Sequence, residues 1–223
     1  MIQSDHALPV AQVRALLWDL DGTLVDSRAD ITSSLNAALA GQGLDPLPLE
    51  TVMGFVGHGA RDLVRGCLAG RGDEDEAYGA FLDHYRANLV VATRPYPGIP
   101  EVLAAARARG LRQAVLTNKP IEHTEGILAG LGLRGFFEVV VGGDSLPTRK
   151  PDPEGARAIL GALGLRPESA VMVGDSDTDT RTARAAGLWS LGVAYGISPG
   201  SLADPRPDLC VDSAAALAEA LGL

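Results

Sequence analysis

Asp19 and Asp21 lie two residues apart in Asp19-Leu20-Asp21-Gly22, directly after an apolar run from Val13 to Trp18 that only Arg14 interrupts. Two carboxylates at the mouth of a buried strand suit a nucleophile beside a proton donor, or a site for a hard cation. Acidic pairs after strands are also common turn chemistry, so this pair says little by itself. Comparable groups follow three further apolar runs: Thr117-Asn118-Lys119 after Gln113–Leu116, Lys150 in the loop beyond Val139–Val141, and Gly174-Asp175-Ser176 after Ala170–Val173. In an open α/β sheet, ligands bind beyond the carboxyl ends of the strands, so all of these groups converge on one rim.

The elements that must hold them can be read from periodicity. Beyond Pro97 the chain alternates short apolar runs with helical patterns (Glu101–Arg109, Ile121–Leu131, Glu154–Leu163, Asp179–Ala186), then adds runs at Leu188–Val193 and Leu209–Val211 and a helix from Ser213. Alternation of this kind predicts a Rossmann-like parallel sheet with helices on both faces. Residues 24–96 break it with helical patterns only: Ile31, Leu35 and Leu39 behind a capping box at Ser27-Arg28-Ala29-Asp30, then Leu49–Phe55, Ala60–Leu68 and Glu74–Val91. The expectation is an α/β core of residues 1–23 and 97–223 carrying an inserted, small all-helical cap of residues 24–96, with both crossings near Val25 and Tyr96.

Composition narrows the function. The 223 residues are 46% hydrophobic and 21% charged, enough apolar surface for a folded core. Nineteen Lys plus Arg against 28 Asp plus Glu give a net charge of -9, the wrong sign for holding nucleic acid or an anionic membrane. Two distant cysteines, Cys67 and Cys210, suggest neither a disulfide framework nor a zinc site. Asp5 and His6 stand where a leader would need a basic start and an apolar stretch, and no apolar run reaches membrane-spanning length. The chain reads as cytoplasmic. It has only two lysines, Lys119 and Lys150, against seventeen arginines. Retaining lysine at these two positions favours functional roles, because a compact ammonium and a planar guanidinium are not interchangeable.

Asp19-Leu20-Asp21-Gly22-Thr23, Leu116-Thr117-Asn118-Lys119, Arg149-Lys150-Pro151 and Val173-Gly174-Asp175-Ser176-Asp177-Thr178-Asp179 together resemble the four motifs of the haloacid dehalogenase superfamily of phosphohydrolases, in order and over nearly the whole chain. The resemblance implies a Mg2+-dependent phosphatase. Asp19 would attack phosphorus to form an aspartyl-phosphate and Asp21 would act as acid and then base. Asp19, Asp175 and the backbone carbonyl of Asp21 would hold the metal, Thr117, Asn118 and Lys150 the phosphate, and Asp179 would steady the metal shell. The physics agrees with the assignment: a carboxylate approaching a phosphate dianion meets about 4 kcal/mol of repulsion per charge pair at ~4 Å and an effective dielectric of ~20, which a cation and a fixed ammonium cancel.

The second aspartate, Asp21, argues against a dehalogenase, since halide leaves without a proton. The absence of lysine from residues 24–96 argues against cleavage through a cap Schiff base. Phe55-Val56-Gly57-His58-Gly59-Ala60, Tyr96-Pro97-Gly98 and Gly142-Gly143-Asp144-Ser145 are similar to the phosphoglycolate phosphatase group, so 2-phosphoglycolate is the expected substrate. His58, where that group usually has Asn, is expected to face the substrate or to be a plain loop residue. Arg61 and Arg65 would pair with a substrate carboxylate or lie in solvent; Asp26, Asp152 and Asp177 fit capping or turn positions. The alternatives are a phosphatase or mutase for another small phosphometabolite, such as a sugar phosphate or pyrophosphate, and a non-catalytic binding module of the same fold.

Overall fold

The computed structural model describes residues 8–223; the reading of Asp5 and His6 falls outside them. Along the chain, β1 (Ala15–Trp18) is followed by β2 (Val25–Asp26), the helices α1 (Arg28–Gly41), α2 (Leu49–Met53), α3 (Ala60–Leu68) and α4 (Glu74–Ala87), and β3 (Arg94–Pro95). The alternating part then runs α5 (Ile99–Ala108), β4 (Arg112–Leu116), α6 (Ile121–Gly130), β5 (Val139–Val141), α7 (Glu154–Leu163), β6 (Ala170–Gly174), α8 (Asp177–Ala186), β7 (Trp189–Val193), β8 (Leu209–Val211) and α9 (Ala214–Leu221).

Six strands form one parallel sheet in the order β5-β4-β1-β6-β7-β8. The central strand explains why the sheet is covered twice. Its side chains alternate, so Leu16 and Trp18 enter one core with Ile99, Leu103 and Leu217, while Ala15 and Leu17 enter another with Ile159, Leu160 and Ala183. The α/β fold expected from the alternation is therefore present. Register then places the chemistry: Trp18 pairs with Val115 on one side and Val173 on the other, so the chain leaves β1, β4 and β6 at the same level. The residues that follow these strands meet at one edge.

Helices α1 to α4 form the insertion, and at its base β2 and β3 pair antiparallel, Val25 with Pro95 and Asp26 with Arg94. This ribbon is too short to leave a periodic signal, and the sequence did not announce it. Three local expectations are corrected. Ser27 precedes α1 but makes no side-chain cap; its hydroxyl donates to Asp21 instead. Asp30, the other half of the expected capping box, is buried and accepts hydrogen bonds from the Ala92 and Thr93 amides and the Thr93 hydroxyl at 2.7–2.9 Å. It clamps the start of the insertion to its end. Helix α4 stops at Ala87, short of the expected Val91, and Asn88 turns back to donate to the His84 carbonyl at 2.8 Å. Helix α8 starts at Asp177 rather than Asp179, because Ser176 and Asp179 form a reciprocal capping box.

Candidate active site

Asp19 follows β1 and its amide donates to the Val173 carbonyl at 2.9 Å, so the first residue beyond the strand is still held by the sheet. Its carboxylate lies 2.9 Å from the Lys150 ammonium, which also donates to Asp179 at 2.6 Å. Asp179 is fixed in turn by the Ser176 hydroxyl at 2.7 Å and the Ser176 amide at 3.2 Å. One buried lysine thus joins the end of β1 to the first turn of α8.

Asp175 follows β6 and accepts from the Ile197 and Ser198 amides at 2.7 and 2.9 Å. Glycines make room for it. A Cβ on Gly22, which sits at φ +85°, would stand 2.2 Å from an Asp175 oxygen, and one on Gly196 would stand 2.3 Å from the Asp175 Cβ. One carboxylate oxygen from each of Asp19, Asp175 and Asp179 lies within 4.8 Å of the others. Crowding tells on their acidity. Burial, then the Asp19 and Asp179 charges, push Asp175 up to about 7. Burial, opposed by Lys150 and reinforced by Asp179, pushes Asp19 up to about 6.

Asp21 points elsewhere. Lys119 donates to both its oxygens, at 2.9 and 3.0 Å, and Ser27 donates to one of them. Of the expected metal ligands, the Asp19 and Asp175 side chains belong to the acidic cluster, while the Asp21 side chain faces Lys119; the cluster's third carboxylate is Asp179. Both lysines are buried, 8% exposed at Lys119 and 5% at Lys150, as functional roles require and surface lysines would not be. Four carboxylates against two ammonium groups leave the site net negative before any phosphate enters. Hard oxygen donors, cradling glycines and uncompensated charge all fit Mg2+.

Asp19, Asp21, Asp175 and both lysines line a cleft of about 680 Å³, including its open mouth, between the sheet rim and the insertion, whose Ile31, Val56, Leu63 and Phe81 supply an apolar wall. Thr117 lies on the rim, buried, with its oxygen accepting from the Lys119 amide at 3.3 Å, so its O–H is available to a ligand. Asn118 uses both protons of its side-chain amide, one on the Lys150 carbonyl and one on the Gly57 carbonyl of the insertion, each at 2.9 Å. Its backbone N–H is the donor left to offer.

Other sequence candidates separate clearly. His58 is exposed and does not line the cleft; of its two readings the loop residue holds. Arg61 pairs with Glu74 and Asp75, and Arg65 with Asp62 and Glu74, so the carboxylates they hold are the insertion's own. Asp26 accepts from the Arg28 amide and Asp152 from the Glu154 amide, the turn roles expected of them, whereas Asp177 opens α8 and pairs with Arg181 one turn on. Two cleft residues escaped sequence reasoning, His123 on α6 and Tyr85 on α4. Tyr85 is an apolar-face position of an ordinary helix, and His123 has no neighbour in sequence that marks it.

A parallel sheet whose strand ends gather aspartates and lysines under a helical insertion defines an α/β phosphatase. The chain belongs to the haloacid dehalogenase-like hydrolases, whose family model matches residues 13–187. A phosphoglycolate phosphatase of Agrobacterium fabrum (strain C58 / ATCC 33970) is 40% identical over 211 residues, 92% of this chain and 91% of the relative. The crystal structure of a predicted phosphoglycolate phosphatase from Haemophilus somnus 129PT superposes with a TM-score of 0.88 at 33% identity, covering 93% of this chain and 97% of that one. A mutant of CbbY from Rhodobacter sphaeroides in complex with xylulose-(1,5)bisphosphate superposes with a TM-score of 0.82 at 25% identity, over 95% and 100% of the two chains.

Proposed function

We propose that the chain hydrolyses a small phosphate monoester, with 2-phosphoglycolate the first choice, through an aspartyl-phosphate on Asp19 and with Mg2+ as cofactor. The observation that carries this reading is Lys150 seated between Asp19 and Asp179 with Asp175 alongside. Residues 24–96 act as the cap, and residues 1–23 and 97–223 as the core. The names of the Agrobacterium and Haemophilus relatives support the choice of ester.

Asp19, Asp175 and the Asp21 backbone carbonyl would hold Mg2+, which when bound supplies positive charge against the phosphoryl oxygens. In the first displacement an Asp19 oxygen bonds to phosphorus, the ester P–O bond breaks, and the leaving oxygen takes a proton from Asp21. In the second, water attacks phosphorus, gives its proton to Asp21, and the bond to Asp19 breaks, releasing inorganic phosphate. Lys150, the Thr117 hydroxyl and the Asn118 N–H bind phosphoryl oxygens, and Lys150 keeps Asp19 ionised for attack. Asp179 holds Lys150 in place.

A second reading, a phosphatase for a larger sugar phosphate, is supported by the bisphosphate bound in the CbbY neighbour. Localisation to the cytoplasm is supported by Cys67 and Cys210, both free thiols; among the described residues no helix is long and apolar enough to cross a membrane. Phosphate release from about twenty phosphometabolites, with Mg2+ and with chelator, tests the whole reading. 2-Phosphoglycolate should lead the panel, release should stop with chelator, and Asp19→Asn should abolish it; turnover by that variant overturns the nucleophile.

A further inference from the structure

The geometry points to Lys119, with the Tyr85 hydroxyl and His123, as a receptor for a carboxylate on the carbon that bears the ester oxygen, and so as the group that selects the organic half of the substrate. This rests on the phosphatase reading above and deepens it.

Lys119 lies just before α6 with its ammonium on Asp21, 4.6 Å above the centre of the Tyr85 ring. An ammonium has three N–H donors, and two are spent on the Asp21 oxygens. The third faces the Tyr85 ring and its phenol oxygen, which holds the ammonium without using the phenol's own proton. Tyr85 is 1% exposed and lines the cleft, and its buried hydroxyl has no acceptor for its own proton among the described residues. A buried unsatisfied hydroxyl costs about 1–3 kcal/mol, so an acceptor supplied by a ligand would recover that loss. Burial pushes this phenol up to about 12, which keeps it a donor.

His123 stands edge-on to the same ring with centroids 5.2 Å apart, and its imidazole hydrogen-bonds no other described residue. Burial and then the Lys119 charge push it down to about 4, so near neutral pH it offers one N–H. One wall of the cleft therefore presents a cation and two further unused donors. An anion with several acceptor oxygens is its complement; a cationic or purely apolar leaving group is not.

Position selects which anion. Asp21, as proton donor, faces the leaving oxygen, and Lys119 is within hydrogen-bond distance of that same carboxylate. A group reaching Lys119 must sit within a bond or two of the ester oxygen. A 2-phosphocarboxylate meets that condition, and a carboxylate far along a sugar chain does not.

The test compares kcat/KM for 2-phosphoglycolate and for 2-hydroxyethyl phosphate, which replaces the carboxylate by an alcohol. Wild-type protein should favour the acid by roughly a hundredfold or more, since a site built around a polar group rejects the analogue lacking it. Lys119→Met should bring the ratio close to one, chiefly by raising KM for the acid, and Tyr85→Phe should lower the ratio by about three- to tenfold. An equal loss on both esters in Lys119→Met, with the wild-type preference intact, overturns the inference, because Lys119 would then act only on Asp21. No preference in the wild-type protein overturns the 2-phosphoglycolate reading as well, and shows it without any variant. Should Lys119→Met fail to fold, Lys119→Gln and Tyr85→Phe carry the same ratio test.

Discussion

Lys150 and Asp179 form an ion pair of 2.6 Å in which each side chain is only 3% exposed. A pair this deep exists for position rather than stability, since desolvation offsets most of the Coulomb gain. Removing one partner is a different matter. Asp179→Ala should cost about 3–5 kcal/mol, because it strands a buried ammonium between fewer charges. Urea unfolding would show this, and Asp179→Asn should recover part of the stability but not the activity, since Lys150 would lose the charge that places it on Asp19.

The raised acidities of Asp19 and Asp175 set the sign of the pH dependence. Their folded values, about 6 and about 7, exceed the ordinary aspartate value of 3.8, so between about pH 4 and pH 7 the native state binds more protons than the unfolded chain. Stability of the metal-free protein should fall as pH rises through this window. Thermal unfolding with chelator at pH 5 and pH 8 checks it. Mg2+ should raise the midpoint more at pH 8 than at pH 5, and Asp175→Asn should flatten both trends.

Asp30 offers a test far from the chemistry. Its carboxylate ties Ala92 and Thr93 to the start of α1. Asp30→Ala would leave those amides and a hydroxyl buried without an acceptor, and should cost about 2–4 kcal/mol in denaturant unfolding. Ser27→Ala, in contrast, should change stability little for a residue beside a helix start, because it caps nothing; its effect should appear in kcat through Asp21.

His58→Ala should leave kcat/KM within about twofold of wild type, as expected of an exposed loop side chain. His123→Ala, at a buried cleft position, should lower kcat/KM for 2-phosphoglycolate by about tenfold or more. Steady-state kinetics on the two variants side by side would decide which histidine serves the site.

Much of the fold was legible in local pattern. The apolar runs Val13–Trp18, Ala170–Val173 and Leu188–Val193 lie within a residue or two of the observed strands because buried parallel strands are built from continuous apolar runs. Asp19, Lys150 and Asp175 could be placed together because each follows such a strand, and topology does the rest. What escaped depends on long-range partners. Lys119 and Asp21 are 98 residues apart, and Asp30 and Ala92 are 62 apart. Ser27 and Asp30 have the spacing of a capping box, but partners elsewhere in the fold compete for both side chains and win. Asn118 carries no sequence mark to show that its amide would be shared between Gly57 and Lys150.

The short β2–β3 ribbon has a consequence for timing. Asp21 bridges to Val25, and the Gly22 amide donates to the Val25 carbonyl at 3.0 Å, so the proposed acid–base residue is laced to the ribbon while Asp19 is laced to the sheet. Under the proposed function, a swing of the helical roof about that ribbon would pull on the proposed proton donor, which Lys119 holds from the core side, and would spare the proposed nucleophile. A phosphoryl acceptor that stays put and a proton donor that travels with the door would make turnover contingent on the door being shut, and would leave substrate merely resting, unbroken, while it stands ajar.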